Sequence, residues 1–130
     1  MRKLLFIYIL AFVCNASFSQ VKIAVKEASK HIGDSVTIID KVSGVQVLNN
    51  GIMLLNLGGV FPNHLLTVMI RPADIQKFAF KPAGKLKGKP VVVSGKLIDY
   101  KDKPGIIVTD PAQLEELSQG DPRLSLQNFK

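Results

Sequence analysis

The chain has 130 residues, of which 47% are hydrophobic, and its formal net charge at neutral pH is +7. A chain of this length fits one domain with one hydrophobic core. The only cysteine, Cys14, lies in an N-terminal segment that we expect to be removed. Disulfides and cysteine metal sites are therefore excluded for the mature protein.

Residues 1–19 have the layout of a secretory signal peptide. Two basic residues precede an apolar stretch from Leu4 to Val13, and Ser17 and Ser19 stand at the −3 and −1 positions of a cleavage site. The apolar stretch is too short for a spanning helix, although an interfacial or membrane anchor is the alternative. We therefore predict an exported protein, periplasmic or secreted, with no membrane span after signal cleavage.

The positive charge is concentrated in one part of the chain. Eight lysines and two aspartates lie between Lys77 and Lys103, which gives this segment a net charge of +6. A cationic region of this density favours a polyanionic partner such as nucleic acid, an anionic polysaccharide or lipid headgroups. A solvated surface that keeps a small protein soluble is the alternative.

The first half of the mature chain predicts a short helix and two strands. The helix lies in "VKEASKHIGD", with Val25, Ala28 and Ile32 on one face. A long strand follows in "SVTIIDKVSGVQVLNN", and Gly44 is its predicted bend. The turn signal at residues 49–51 then leads to an antiparallel strand, "IMLLNLG".

The second half predicts three more strands and two helices. A linker from Gly58 to His64 leads into the strand "LLTVMIR", and Pro72 starts a helix over "PADIQKFAF". The basic connection "KPAGKLKGKP" precedes the strand "VVVSGKLIDY", the turn "KDKPG" and the strand "IIVTD". A short helix in "PAQLEEL" and a flexible tail complete the order.

Five short strands with a helix between the third and fourth predict an all-β domain with minor α content, closed as a small barrel. A strand can serve two sheets where a glycine lets it coil across a corner, so Gly44 is expected to let the longest strand join both layers. The linker from Gly58 to His64 is expected to lead the third strand away from the second on a wider path than a hairpin. The predicted divisions are residues 1–19, 20–117 and 118–130, namely the signal peptide, the barrel domain and the flexible tail.

Four motifs, taken in order, resemble one family: "GDSVTIIDKVSGV", "LLNLG", "FPNHLLTVMI" and "GKPVVVSGKLIDYKDKPGIIVTDPAQLE". This set covers about Ala28 to Glu115. It resembles the small exported bacterial OB-fold proteins described as nucleic-acid-binding-like, which are related to the tRNA-anticodon-binding type of OB domain. The resemblance implies a five-stranded OB-fold barrel with a helix between strands three and four that plugs its base, to which the pattern of Val25, Ala28 and Ile32 adds the short N-terminal helix. It settles no ligand, and single-stranded nucleic acid is the candidate that it implies.

OB barrels that bind oligonucleotides use the face of strands two and three and the turns after strands one and four. On that surface Tyr100 is the predicted stacking residue, and Lys101 and Lys103 are the predicted phosphate partners. Arg71 is expected to add a planar donor, and Asn56 to hydrogen-bond base edges or sugar hydroxyls. An ordinary polar hairpin turn is the alternative for the Tyr100 cluster.

Two features count against nucleic acid. Strands two and three contain no aromatic residue, whereas single-strand binders stack bases on aromatic side chains. Most lysines of the cationic segment fall in the helix and basic connection, away from the usual groove. The alternative is a protein-interaction or envelope-structural module that docks a partner through Met53, Leu55 and Met69.

The sequence contains no pattern typical of catalysis. Its carboxylates are scattered, and His31 and His64, with no metal-ligand spacing between them, are interpreted as separate surface or loop residues. The phosphate-cradling Gly-Lys-Ser/Thr motif is absent. We therefore predict that the protein is not an enzyme and holds no metal or cofactor. The sequence makes no prediction of the oligomeric state.

Overall fold

The structure is a computed structural model that describes residues 21–79, 81–118 and 120–125. The described chain is mostly strand, and its helices are short. The strands are β1 (Val21–Ile23), β2 (Ser35–Val47), β3 (Met53–Leu57), β4 (Leu66–Ile70), β5 (Pro90–Lys96), β6 (Ile98–Tyr100), β7 (Lys103–Val108) and β8 (Leu114–Glu116). The helices are two 3₁₀ helices (Val25–Lys30 and Pro111–Gln113) and α1 (Pro72–Ile75), α2 (Pro82–Leu86) and α3 (Pro122–Ser125).

The longest strand, β2, belongs to two sheets. Its segment Ser35–Lys41 pairs antiparallel with β5, and its segment Val42–Val47 pairs antiparallel with β3. The register against β3 shifts between Val42 and Gly44, so Ser43 is the extra residue of a bulge that bends the strand. The prediction that this strand joins both layers is confirmed, and the bulged residue is Ser43 rather than Gly44.

The hydrogen-bonded strand order is β6-β7-β4-β3-β2-β5-β8, and β1 lies parallel to β2 outside this path. Within the described residues the path is open, because β6 and β8 stand at its two ends. The predicted five-stranded closed barrel is therefore wrong in strand number and in closure. The predicted fourth strand breaks at Leu97, so that β5 stays with β2 while β6 pairs with β7. The two short strands β1 and β8 supply the rest of the difference.

One side chain links β5 and β7, which are not neighbours in the hydrogen-bonded strand order. Gln113 Nε2 donates to the carbonyl oxygens of Ser94 on β5, at 3.1 Å, and of Ile107 on β7, at 3.3 Å. Gln113 Oε1 accepts from the backbone nitrogens of Thr109 and Asp110 at 2.9 and 3.1 Å. The amide therefore ties together two strands that the strand path leaves apart.

The core follows from the alternation of apolar residues along the strands, because alternate side chains point to one face of a sheet. Met53 and Leu55 are part of this core, at 5% and 0% exposure, and Met69 is half-buried. The prediction that these three residues form an exposed docking face is therefore wrong. Other buried side chains include Val36, Ile38, Leu57, Val68, Val91, Val93, Ile106 and Val108.

The predicted helices exist in shorter form. Ala28 is fully buried on the first 3₁₀ helix, whereas Ile32, predicted for the same face, lies beyond the helix end and is 45% exposed. Two helices, α1 and α2, stand where one was predicted between the third and fourth strands, because Pro72 and Pro82 each begin a separate helix.

The helix predicted at Pro111 is wrong beyond its first turn. Asp110 caps that turn, since its Oδ1 accepts from the backbone nitrogen of Ala112 at 2.8 Å. Leu114 then pairs opposite Val93 of β5 and is 3% exposed. Burial of this leucine on the sheet favours the strand β8 over a continued helix.

The division of the chain stays a prediction. The predicted signal peptide, residues 1–19, lies outside the described residues. In the predicted tail, Arg123 of α3 pairs with Asp121 at 2.7 Å and with Glu115 of β8 at 3.2 Å. The Arg123 guanidinium lowers the pKa of Asp121 to about 2.

Across the described ranges, no helix has the length and apolar content needed to span a bilayer.

Candidate functional site

The segment between β3 and β4 is a hairpin loop fastened to the sheet. Leu65 N donates to Leu57 O at 2.9 Å, and Gly59 N donates to Ser43 Oγ on the bulge of β2 at 3.1 Å. β3 and β4 pair directly, with Leu57 opposite Leu66. The prediction that the linker leads the third strand away from the second is therefore wrong. The loop instead lies close to the bend in β2.

This loop carries two rings. The rings of Phe61 and His64 stack with centroids 5.8 Å apart and an interplanar angle of 24°. Phe61 is 61% exposed, whereas His64 is 5% exposed and has its Nε2 2.9 Å from Thr67 Oγ1 on β4. The loop therefore supplies aromatic surface that β3 and β4 lack.

The hairpin of β6 and β7 carries the Tyr100 cluster. Lys101 and Asp102 form its two-residue turn with φ values of 51° and 67°, the positive values that the tightest hairpin turns require. Asp102 N donates to Asp99 Oδ1 at 3.0 Å and so stabilises the turn. Lys101 Nζ lies 5.4 Å from the centroid of the Tyr100 ring, within the range of a cation–π contact.

The loop and the hairpin meet at one cavity. Lys103 Nζ of the hairpin donates to the carbonyl oxygen of His64 in the loop at 2.9 Å. The cavity has a volume of about 260 Å³. We call it, with its rim, the groove, and it is lined by Gln46, Leu48, Leu54, Asn56, Phe61, His64, Thr67, Tyr100, Lys101 and Lys103.

The structure brings four of the five predicted contact residues together and leaves one apart. Arg71 is not among the residues lining the groove, and its Nε lies 3.4 Å from Asp74 Oδ2 at the start of α1. Its guanidinium is therefore placed to support the helix start. The predicted residues that do line the groove are Asn56, Tyr100, Lys101 and Lys103, and their role in binding stays a prediction.

Sequence reasoning missed most of the ring-bearing and polar residues that complete the groove. It interpreted His64 as a separate surface or loop histidine and looked for aromatics in the strands alone. The available signal was "GGVFPNH", a linker with two rings between the two strands of the predicted binding face. The missed residues include Gln46, Phe61, His64 and Thr67.

Two polar atoms of the groove residues are buried without a hydrogen-bond partner in the described chain: Asn56 Oδ1 and His64 Nδ1. Asn56 is 2% exposed, and its Nδ2 donates weakly to Gln46 Oε1 at 3.4 Å. Buried polar groups in proteins nearly always have a partner. Each of these two atoms therefore has unused hydrogen-bonding capacity.

The stability of the protein is expected to depend on the protonation of His64. Burial lowers the pKa of the His64 imidazole below its ordinary value of 6.5, and the nearby Lys103 ammonium lowers it further. The unfolded chain therefore binds this proton more readily than the folded chain. The free energy of unfolding should fall as the pH falls through 6.5 towards the folded pKa, by at most about 1.4 kcal/mol per pH unit.

The measurement is urea unfolding at about pH 7.5 and about pH 5.5 for the native chain and for His64→Asn. The difference in the free energy of unfolding between the two pH values should be smaller in the variant, because the titrating groups that both proteins share contribute equally to both. Equal pH dependence in the two proteins would show that His64 is not the responsible group.

Within the described ranges, no three His, Cys, Asp or Glu side chains lie close enough together to hold a metal ion. The charged residues that line the groove are Lys101 and Lys103. The electrostatics of the groove therefore favour an anionic ligand.

No protein-family model matches the sequence, and the comparison with curated proteins gave no significant match. The structure is similar to a chain of the S. pombe Stn1–Ten1 complex, with a TM-score of 0.53 and 17% identity over 71% of this chain. The match covers 62% of that chain, so the protein spans less than two thirds of the length of this neighbour.

Two further similar structures are OBodies, both bound to hen egg-white lysozyme. OBody AM1L10 has a TM-score of 0.57 and 13% identity, covering 80% of this chain and 100% of its own. OBody AM2EP06 has a TM-score of 0.56 and 12% identity, covering 81% of this chain and 100% of its own. Identities this low establish the fold alone. The described chain therefore has an OB-like fold that is mostly β-strand with minor helix.

Proposed function

We propose that the protein is an exported OB-fold binding module that holds an extended anionic ligand in the groove, with single-stranded nucleic acid as the leading candidate. The observation that carries this proposal is the convergence of Tyr100, Lys101 and Lys103 on the same cavity as the ring of Phe61. Export is proposed from the signal-peptide pattern of residues 1–19.

A single strand presents flat bases and charged phosphates in alternation, and the groove offers a partner for each. Phe61 and the half-buried Tyr100 give ring faces on which bases can stack. Lys101 is exposed, so its ammonium, which lies 5.4 Å from the Tyr100 ring centroid, can turn from the ring towards a phosphate. Lys103 is held against the loop by its bond to the His64 carbonyl, which fixes a second positive charge inside the groove.

The remaining lysines of the cationic segment act at longer range in this proposal. Lys81, Lys87 and Lys89 are exposed on and around α2 and do not line the groove. Charges of one sign raise the rate of encounter with a polyanion without direct contact. We further propose binding without catalysis, because the lining of the groove contains no carboxylate to pair with its single histidine, His64.

The test is a binding screen of the purified protein against single-stranded DNA, single-stranded RNA and an acidic glycan at about 50 and about 200 mM salt. We expect binding to single-stranded nucleic acid that weakens steeply with salt, and weaker binding to the glycan, which has no bases to stack. If the protein binds neither single-stranded DNA nor single-stranded RNA at the lower salt concentration, the proposal is overturned.

A protein partner is the second candidate, favoured by the apolar side chains exposed on the loop. Val60, Phe61 and Leu65 are 58%, 61% and 41% exposed. Two structurally similar OBodies are bound to a protein, lysozyme. A protein docked on this loop would be held chiefly by apolar contact, so its binding should change little between the two salt concentrations.

A further inference from the structure

The cavity in the groove has room for one flat ring system. Its volume of about 260 Å³ lies just below the range of about 300–1,000 Å³ typical of pockets for drug-sized ligands. Phe61 and Tyr100 give it ring surfaces, and Asn56, His64 and Thr67 give it polar groups. A lining of this kind suits a planar heterocycle that stacks on one face and hydrogen-bonds at one edge.

Asn56 offers that ring a hydrogen-bond acceptor. It lies on β3 between the fully buried Leu55 and Leu57, at a position where an apolar residue would be expected from burial alone. Its Nδ2 faces Gln46 Oε1, which leaves Oδ1 as the atom without a partner. A buried oxygen of this kind is unfavourable unless a donor reaches it.

His64 offers a second acceptor. Its Nε2 is engaged with Thr67 Oγ1, and Nδ1, the ring nitrogen nearer the backbone, is buried without a partner in the described chain. The ammonium of Lys103 is bound to the carbonyl oxygen of the same residue. In the tautomer with its proton on Nε2, the ring donates to Thr67 Oγ1 and keeps a lone pair on Nδ1 as an acceptor.

We propose that the groove reads one base of the bound strand by its edge, with guanine preferred, through hydrogen bonds to Asn56 Oδ1 and His64 Nδ1. Guanine is the common base whose Watson–Crick edge carries two neighbouring N–H donors, the imino and the amino group. The other bases leave at least one of the two buried acceptors without a donor. This inference rests on the proposed function, since it assigns specificity to the same groove.

The experiment uses oligo(dT) of about ten nucleotides in which one central position is replaced by dG, dA, dC or deoxyinosine. We expect the dG strand to bind about tenfold more tightly than all-dT. Deoxyinosine, which lacks the amino group of guanine, should lose part of this gain. Asn56→Leu should abolish the preference for dG over dT. Asn63→Leu makes the same change in the loop between β3 and β4, at a residue that does not line the groove, and should retain the preference.

The outcomes separate the two levels of the proposal. No binding to any strand overturns both the proposed function and this inference. Binding with equal affinity for all central bases overturns the inference and leaves the proposed function standing. A dG preference that survives Asn56→Leu also overturns it. If Asn56→Leu does not fold, the comparison of guanine with inosine on the unchanged protein decides, and equal affinity for the two counts against the inference.

Discussion

Replacing Tyr100 and Lys101 together with alanine is expected to lower the affinity for single-stranded nucleic acid by about a hundredfold at low salt. Loss of one stacked base alone costs about 1–3 kcal/mol. Loss of the Lys101 ammonium removes one phosphate partner, so the slope of log affinity against log salt should become shallower by about 0.7. Fluorescence anisotropy with a labelled strand across a salt series measures both quantities.

Two matched variants isolate the cause. Tyr100→Phe keeps the ring face and should bind within about threefold of the native protein. Lys87→Ala makes the same change of charge at an exposed position that does not line the groove, and should have only a small effect. If the double variant binds as well as Lys87→Ala, the groove is not the binding site.

Because of the turn geometry, Lys101→Ala is expected to remove a charge from the groove without destabilising the fold. Lys101 has a φ of 51°, a conformation that strains lysine and alanine alike because both carry a Cβ. The turn hydrogen bond from Asp102 N to Asp99 Oδ1 involves the side chain of neither Tyr100 nor Lys101, the two residues that the double variant replaces. The thermal midpoint of the variant should therefore stay close to that of the native protein while its affinity falls.

The parts of the groove that the sequence predicted are mainly residues that lie close together along the chain. Tyr100, Lys101 and Lys103 lie within one tight hairpin, so their proximity follows from the turn alone. Arg71 does not line the groove, and a local signal for its contact with Asp74 existed, since Asp74 lies three residues ahead and within reach. The position of Phe61 and His64 depends on the bond from Gly59 to Ser43 across 16 residues, which no local pattern reveals.

The sequence predicted the fold to about the same extent as it predicted the groove. Each of the five predicted strands has a counterpart in the described chain, the fourth in two pieces, because each is long enough to show an apolar pattern. β1 and β8 have three residues each, too few to show a period. The break at Leu97 escaped prediction because "VVVSGKLIDY" reads as one strand, and only the pairing of its halves with β2 and β7 divides it.

Gly95→Ala is expected to lower the free energy of unfolding by about 2–3 kcal/mol. Gly95 lies on β5 close to β7, and a Cβ there would lie 2.7 Å from Ile106 Cγ2 and 3.2 Å from Gln113 Nε2. Ile106 is 1% exposed and so has no free space to enter, and Gln113 is the side chain that bridges the two strands. Urea unfolding of the variant and the native protein measures the difference.

Gly84→Ala is the matched control for Gly95→Ala. Gly84 lies in α2 with no atom within 4 Å of an added Cβ, so alanine should stabilise the protein by about 0.5–1 kcal/mol. A Gly95→Ala protein as stable as the native one would contradict the close packing of β5 on β7.

The same contact has a functional consequence, because Ile106 and Tyr100 share one hairpin. A displacement of β7 at Ile106 should move Tyr100 relative to Phe61, so folded Gly95→Ala protein should also bind the single strand less tightly.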